Sequence, residues 1–311
     1  MEWSSSLYLW STGFAFAWGA LWGSFFNVVI YRLPAGLSVI TPPSHCPHCK
    51  TRLRAYHNVP VLGWLFLRGK CATCRAPISV RYPLVELLTA VLSAALWLRL
   101  ASPDAGFDPL AAIAPFGLLF LFLGSLIVIT FIDIDYRIIP HEITLPLLAL
   151  GMVSSLVNVS VTGVGWKESV LGALVGGGII WLIIQVYFWL RKVEGMGGGD
   201  FVMMAMLGAW LGYASILFIL FAASLQGTVA AVVLYVSGKS LPQPAIPGPG
   251  WGGSESEPDP PDPGSVAQPG LPDGGFRSME LPFGPFLALA GLEWLFFEPW
   301  IRTTVYALYG G

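Results

Sequence analysis

Charge is what this sequence has least of: Asp, Glu, Lys and Arg make up 11% of its 311 residues, against 55% hydrophobic ones. A soluble domain carries about a quarter charged residues, so this scarcity, with a mean hydropathy of +0.69, excludes an ordinary water-soluble globule. The net charge is -2 and no basic stripe runs along the chain, so nucleic acid is not an expected partner. No Lys or Arg precedes the first apolar run, and no small-residue cleavage site follows a short apolar core. That run is therefore expected to stay in the mature protein rather than act as a secretory signal. Neither an internal repeat nor a Rossmann-type glycine fingerprint after a strand is present.

What the sequence does hold is apolar runs. A bilayer crossing needs about 20 residues, and runs of that order occur at about 8–31, 82–101, 112–133, 143–162, 169–190 and 216–237, with shorter ones near 201–214 and 283–301. These predict an all-α polytopic membrane protein of about eight transmembrane helices. Lys and Arg favour the cytoplasmic side of short loops. The loop at 32–81 holds eight of the sixteen (Arg32, Lys50, Arg52, Arg54, Arg68, Lys70, Arg75 and Arg81). Alternation adds Arg137, Arg191, Lys192, Lys239 and Arg277 to that side and leaves Arg99, Lys167 and Arg302 opposite. The N-terminus is then expected outside, with the loops at 32–81, 134–142, 191–200 and 238–280 in the cytoplasm.

The chain divides on this reading into a first transmembrane helix (1–31), a cytoplasmic cysteine module (32–81), a transmembrane core (82–237), an insert (238–280) and a last helix with the C-terminus (281–311). The insert is too rich in Pro, Gly, Ser and acid to bury a core and reads as disordered. Gly172, Gly176, Gly177 and Gly178 suit close helix packing in lipid.

All four cysteines lie in one loop, as Cys46-Pro-His-Cys49 and Cys71-Ala-Thr-Cys74, with 21 residues between the pairs. Each CxxC turn offers two thiolates, and Zn²⁺ takes four in a tetrahedron. The loop therefore reads as a small zinc-binding module between the first and second spans, with Cys46, Cys49, Cys71 and Cys74 as ligands. Two disulfides are the alternative, but they rarely persist in a reducing cytoplasm. His45, His48 and His57 read as bystanders.

Carboxylates at the edge of a span are costly and mark functional sites. The third span ends in Asp133-Ile-Asp135-Tyr-Arg137-Ile-Ile-Pro140, and a glycine run, Gly195-Met-Gly197-Gly-Gly199, leads to Asp200. Two aspartates from separate helices can share one proton, one ionised to activate water and one protonated to polarise a carbonyl. Glycines beside Asp200 would let a substrate backbone approach. Helix capping by Asp200, and pairing of Asp133 or Asp135 with Arg137, are the plainer readings.

These residues resemble the type IV prepilin peptidase family, a group of GxGD-type aspartyl proteases. Gly23-Ser-Phe-Phe-Asn27-Val-Val-Ile-Tyr-Arg32-Leu-Pro34 is similar to the family's opening motif; Ser79-Val-Arg81-Tyr82-Pro83-Leu-Val-Glu86-Leu-Leu-Thr89 and Pro282-Phe-Gly284-Pro285 are similar to later segments. The resemblance implies catalysis by Asp133, seven residues before Pro140, and by Asp200 of the GxGD motif. Gly197 and Gly199 would support it, with Asp135 in reserve. His141 departs from the Asp or Asn usual there. The resemblance further implies removal of the basic leader of prepilins or pseudopilins at the cytoplasmic face of the bacterial inner membrane. It also implies N-methylation of the new terminus with S-adenosylmethionine, which Gly69 and Lys70 would help bind. Glu86 either assists one of these activities or pairs with Arg81, and the structural pairing is the favoured reading. A non-enzymatic zinc-containing scaffold of a secretion or pilus system is the alternative. A proton-coupled transporter is a further one, disfavoured because both carboxylates map to one membrane face.

Overall fold

A computed structural model describes residues 5–101, 109–156, 163–192, 197–238 and 281–309. Among these, nine α-helices follow one another: α1 Ser5–Arg32, α2 Leu62–Phe66, α3 Arg81–Leu100, α4 Pro109–Tyr136, α5 His141–Leu156, α6 Trp166–Arg191, α7 Gly198–Leu211, α8 Ile216–Val236 and α9 Gly284–Tyr309. Two isolated bridges are the only β pairing among the described residues. Five helices (α1, α3, α4, α6 and α8) are long and apolar enough to cross a membrane, and α5 and α7 are shorter apolar helices. α9 runs for 26 residues and carries Glu293, Glu298 and Arg302. Each of the eight apolar runs read from the sequence overlaps one of these helices in its described residues, so the protein is an all-α multi-pass membrane protein. The insert beyond Gly238 and residues 193–196 of the glycine run lie outside the described residues.

The chain forms two compact units, and the division falls between Val128 and Ile129, within α4 and inside the stretch read from the sequence as a single core. In the first unit α1 and α3 pack side by side through a row of small residues on α1. The Ser93 hydroxyl donates to the Ala15 carbonyl at 2.7 Å, and the Asn27 amide donates to the Tyr82 carbonyl at 3.1 Å. Between them, a Cβ at Gly19 would lie 2.8 Å from Ala90 Cα and one at Gly23 would lie 2.7 Å from Glu86 Cα. The repeat of four residues keeps Ala15, Gly19, Gly23 and Asn27 on one helix face, and with so little side chain there the backbones approach closely. Phe26 stacks on Phe120 of the neighbouring helix, and Trp18 and Trp22 meet the same ring edge-on.

The second unit is built around α7. Residues Met203 to Leu211 of this helix are all buried. α6 lies along it with Gly172 against Gly208, backbone on backbone, and the Ser169 hydroxyl donating to the Ala209 carbonyl at 2.8 Å. α5 closes another side, where the Trp210 indole N–H donates to the Leu147 carbonyl at 2.7 Å and its ring fills the space over Gly151. α9 meets α7 at Gly291, into which Leu207 fits, and meets α8 through the Gln226 amide donating to Glu293 and through Phe218 beside Trp294.

Candidate active site and metal centre

α4 stops where Arg137 turns left-handed at φ 57, its N–H donating to the Asp133 carbonyl at 3.0 Å, and Pro140 lies beyond it. That cap places the last helical turn, and with it Asp133, at the end of the span. Asp133 is 5% exposed, and its Oδ2 accepts the N–H of Gly284, the first residue of α9, at 3.0 Å. Asp200, 8% exposed, sits in the first turn of α7, which starts after Gly197 in an extended conformation. The two carboxylates lie within electrostatic range of each other, and Arg137 lies within range of Asp133.

Ile139 ties the pieces together. A Cβ at Gly199 would come within 2.7 Å of Ile139 Cβ, and one at Gly284 within 2.6 Å of Asp133 Oδ2 and 3.2 Å of Ile139 Cδ1. Packing therefore requires glycine at 199, where the atom met is a Cβ, whereas at 284 the nearest atom is the movable end of the Asp133 side chain. Gly197 and Gly198, by contrast, are exposed and have open space where a side chain would go. Asp135 is half-buried and is displaced from Asp133 by about 200° around the helix. His141 is exposed at the start of α5. Sequence reasoning met Gly284 and Ile139 only as members of motifs and assigned neither a role. Neither carries a reactive group, and their closeness to Asp133 arises from long-range packing that spacing along the chain does not display.

The four cysteines also converge. Cys46 Sγ lies 3.8 Å from Cys74 Sγ and Cys49 Sγ 4.0 Å from Cys71 Sγ, and all four sulfurs fall within 4.8 Å of one another. None is in a disulfide. A tetrahedral Zn²⁺ with sulfurs at about 2.3 Å sets them about 3.8 Å apart, so the donors fit such an ion in type and spacing. Two matching knuckles build the site. The Cys46 N–H donates to the Thr51 carbonyl and the Lys50 N–H to the Cys46 carbonyl; the Cys71 N–H donates to the Ala76 carbonyl and the Arg75 N–H to the Cys71 carbonyl. Lys50 and Arg75, each just after a second cysteine, are left-handed at φ 54 and 63. Cys49 Sγ is hydrogen-bonded to the Thr51 hydroxyl at 3.3 Å, and this contact helps draw the Cys49 thiol down to about 6, whereas burial pushes the Cys46 thiol up.

Gly69 is left-handed at φ 68, and a Cβ there would meet the Trp64 ring at 2.8 Å, while Lys70 bridges to Pro77. Both residues have a role in folding the module. Glu86 is buried, and its Oε2 accepts the Val61 N–H at 2.7 Å, with the Ser24 hydroxyl as a second partner. The pairing read from the sequence was with Arg81; the partners found here come from the cysteine module and from α1.

Two family models match the chain: the bacterial peptidase A24 N-terminal domain over residues 17–100, and the type IV leader peptidase family over residues 120–232. A prepilin leader peptidase/N-methyltransferase of Aeromonas hydrophila is 35% identical over 300 residues, covering 89% of this chain and 87% of the relative. The chain belongs to the type IV leader peptidase family. Proteins of the same name from Neisseria gonorrhoeae, 37% identical over 70% of this chain and 80% of the relative, and from Burkholderia pseudomallei, 34% identical over 96% and 88%, are similar to it as well. No solved structure matches the chain. The first matched region lies wholly before the division within α4, and the second begins at residue 120, just ahead of it, and runs on into α8.

Proposed function

We propose that this protein is an aspartyl endopeptidase of the bacterial inner membrane that removes the short basic leader of prepilins or pseudopilins, with Asp133 and Asp200 as the catalytic pair. The observation that carries the reading is the burial of two aspartates from separate helices within electrostatic range, beside the glycines that open the α7 end. Sharing one proton, the pair has one carboxylate to take a proton from water and one carboxylic acid to donate to the scissile carbonyl oxygen. Water adds to the carbonyl carbon, the C–N bond breaks, and the departing amine takes a proton back from the pair. The Gly284 amide fixes the orientation of Asp133, and the open space over Gly197 and Gly198 admits the substrate backbone. The concentration of Lys and Arg in the loop that opens α3 supports a cytoplasmic site, the side on which a basic leader stays.

The relatives' names support a second activity, methylation of the new N-terminus. S-adenosylmethionine would supply the methyl group, and Gly69 and Lys70 remain the proposed site by their place in the module. Cys46, Cys49, Cys71 and Cys74 would hold Zn²⁺, which would crosslink the two knuckles and take no part in peptide hydrolysis.

The test is cleavage of a prepilin by the purified full-length protein in detergent. Asp133→Asn and Asp200→Asn are expected each to lower leader removal by about a thousandfold or more, within the range for loss of a general acid or base, while Asp135→Asn cleaves like wild type. Cleavage that survives in either of the first two variants would exclude the pair.

A further inference from the structure

The cysteine module carries a surface that neither the peptidase pair nor the metal explains. Between Arg32 and Arg81 the sequence has eight Lys or Arg residues and no Asp or Glu. Arg32 is buried and spent on the carbonyls of Ser38 and Pro42. Lys50, Arg52, Arg54, Arg68, Lys70 and Arg75 are exposed. In the same module α2 turns one face inward, with Gly63 buried against the His57 carbonyl, and the other outward. That outer face consists of Leu62, Leu65 and Phe66, exposed by 50, 54 and 81%.

The depth of α2 is set by a bond already described. Val61, the residue that starts α2, is held at φ 61, a conformation a β-branched residue adopts rarely, and its N–H is bound by Glu86. Glu86 lies five residues into α3 from Arg81, about 7.5 Å along the helix axis. α3 is a membrane-crossing helix whose Leu84, Leu87 and Leu88 are exposed. The strained backbone of Val61 is thus fixed alongside the first turns of a span, and an apolar helix face at that level meets the headgroup and acyl boundary.

We propose that α2 lies in the membrane interface, with Leu62, Leu65 and Phe66 inserted between lipids and the surrounding exposed cations bound to the phosphates of anionic phospholipids. Apolar insertion and phosphate attraction together are the combination that holds a short amphipathic element on an anionic leaflet. With no carboxylate in the loop, the surface has nothing to offer a cationic partner.

The experiment is hydrogen–deuterium exchange of the full-length, metal-loaded protein in nanodiscs of phosphatidylcholine alone and of phosphatidylcholine with phosphatidylglycerol. Amides of residues 62–68 are expected to exchange at least about fivefold more slowly in the anionic discs. Leu65→Ser with Phe66→Ser is expected to abolish that difference while bound metal stays at the wild-type level, which shows the module still folded. Arg54→Gln with Arg68→Gln is expected to reduce it, as is high salt. Equal exchange in the two lipids overturns the proposal. So does slowing reproduced in phosphatidylcholine discs by dissolved glycerol phosphate, which would make the surface a free-anion site, or slowing untouched by the apolar variant.

Discussion

The two polar centres of this protein are built by opposite means. The cysteine module places its four sulfurs with local geometry: two knuckles, each closed within a few residues by the same pair of backbone hydrogen bonds and the same left-handed residue. The aspartate site draws Asp133 from the end of α4, Ile139 from the following turn, Asp200 from the start of α7 and an amide from the start of α9. Local geometry repeats and can be read from spacing; a site gathered from distant helix ends depends on the whole unit packing correctly. A ligand lost from the first should therefore dismantle one module, whereas small packing changes anywhere around the second should reach the reacting groups.

The widest separation of the two centres comes from testing both activities on the same variants. Asp200→Asn, measured for leader removal and for methyl transfer on a pre-cleaved substrate, is expected to lose the first by about a thousandfold and to keep both the second and the bound zinc. A parallel loss of both activities would break the contrast. Cys71→Ser should do the reverse. Thiolate ligands commonly supply folding free energy through the metal, so zinc measured by metal analysis should fall to a small fraction of one per chain and residues 44–78 should become protease-sensitive, with leader removal reduced far less.

Gly284→Ala probes how tightly packing controls the aspartates. The added methyl presses on Asp133 Oδ2 and Ile139 Cδ1, and misplacement by about 1 Å can cost about a hundredfold in rate. The expected result is kcat down by about ten- to a hundredfold with thermal stability in detergent nearly unchanged, since the end of a side chain can move where a backbone cannot. The smallest effect is expected at Trp210→Phe, away from the carboxylates. Loss of the indole bond to the Leu147 carbonyl should cost about 1 kcal/mol of stability, seen as a lower melting temperature without loss of kcat.

How much of this was legible in the sequence follows the same division. The spans followed from apolar runs because lipid imposes length and hydrophobicity on each segment by itself. The cysteine pairs at 46, 49, 71 and 74 followed from spacing for the same local reason. Asp133 and Asp200 could be named because a carboxylate at a span end is costly wherever it occurs, while the choice of Asp133 over Asp135 rested on the resemblance. The structure adds that Asp133 is the more buried and receives the Gly284 amide. What stayed hidden was every partnership across distance: Ile139 against Gly199, Glu86 with the Val61 amide, and the run of small α1 residues against α3. In each, one member is chemically unremarkable, so no residue type announces it.

The enclosure of α7 bears on how the protein is made. Fourteen residues of helix rise about 21 Å, short of the about 30 Å of hydrocarbon in a bilayer, and nearly every side chain from Asp200 to Leu211 is covered by neighbours rather than by lipid. Such a segment has little reason to enter the membrane by itself as it leaves the ribosome; it needs α5 and α6 in place to receive it, Gly172 against Gly208 included. Asp200 would then arrive beside Asp133 only when the unit is complete, so that a half-inserted chain carries one carboxylate and cannot cut its neighbours during biogenesis.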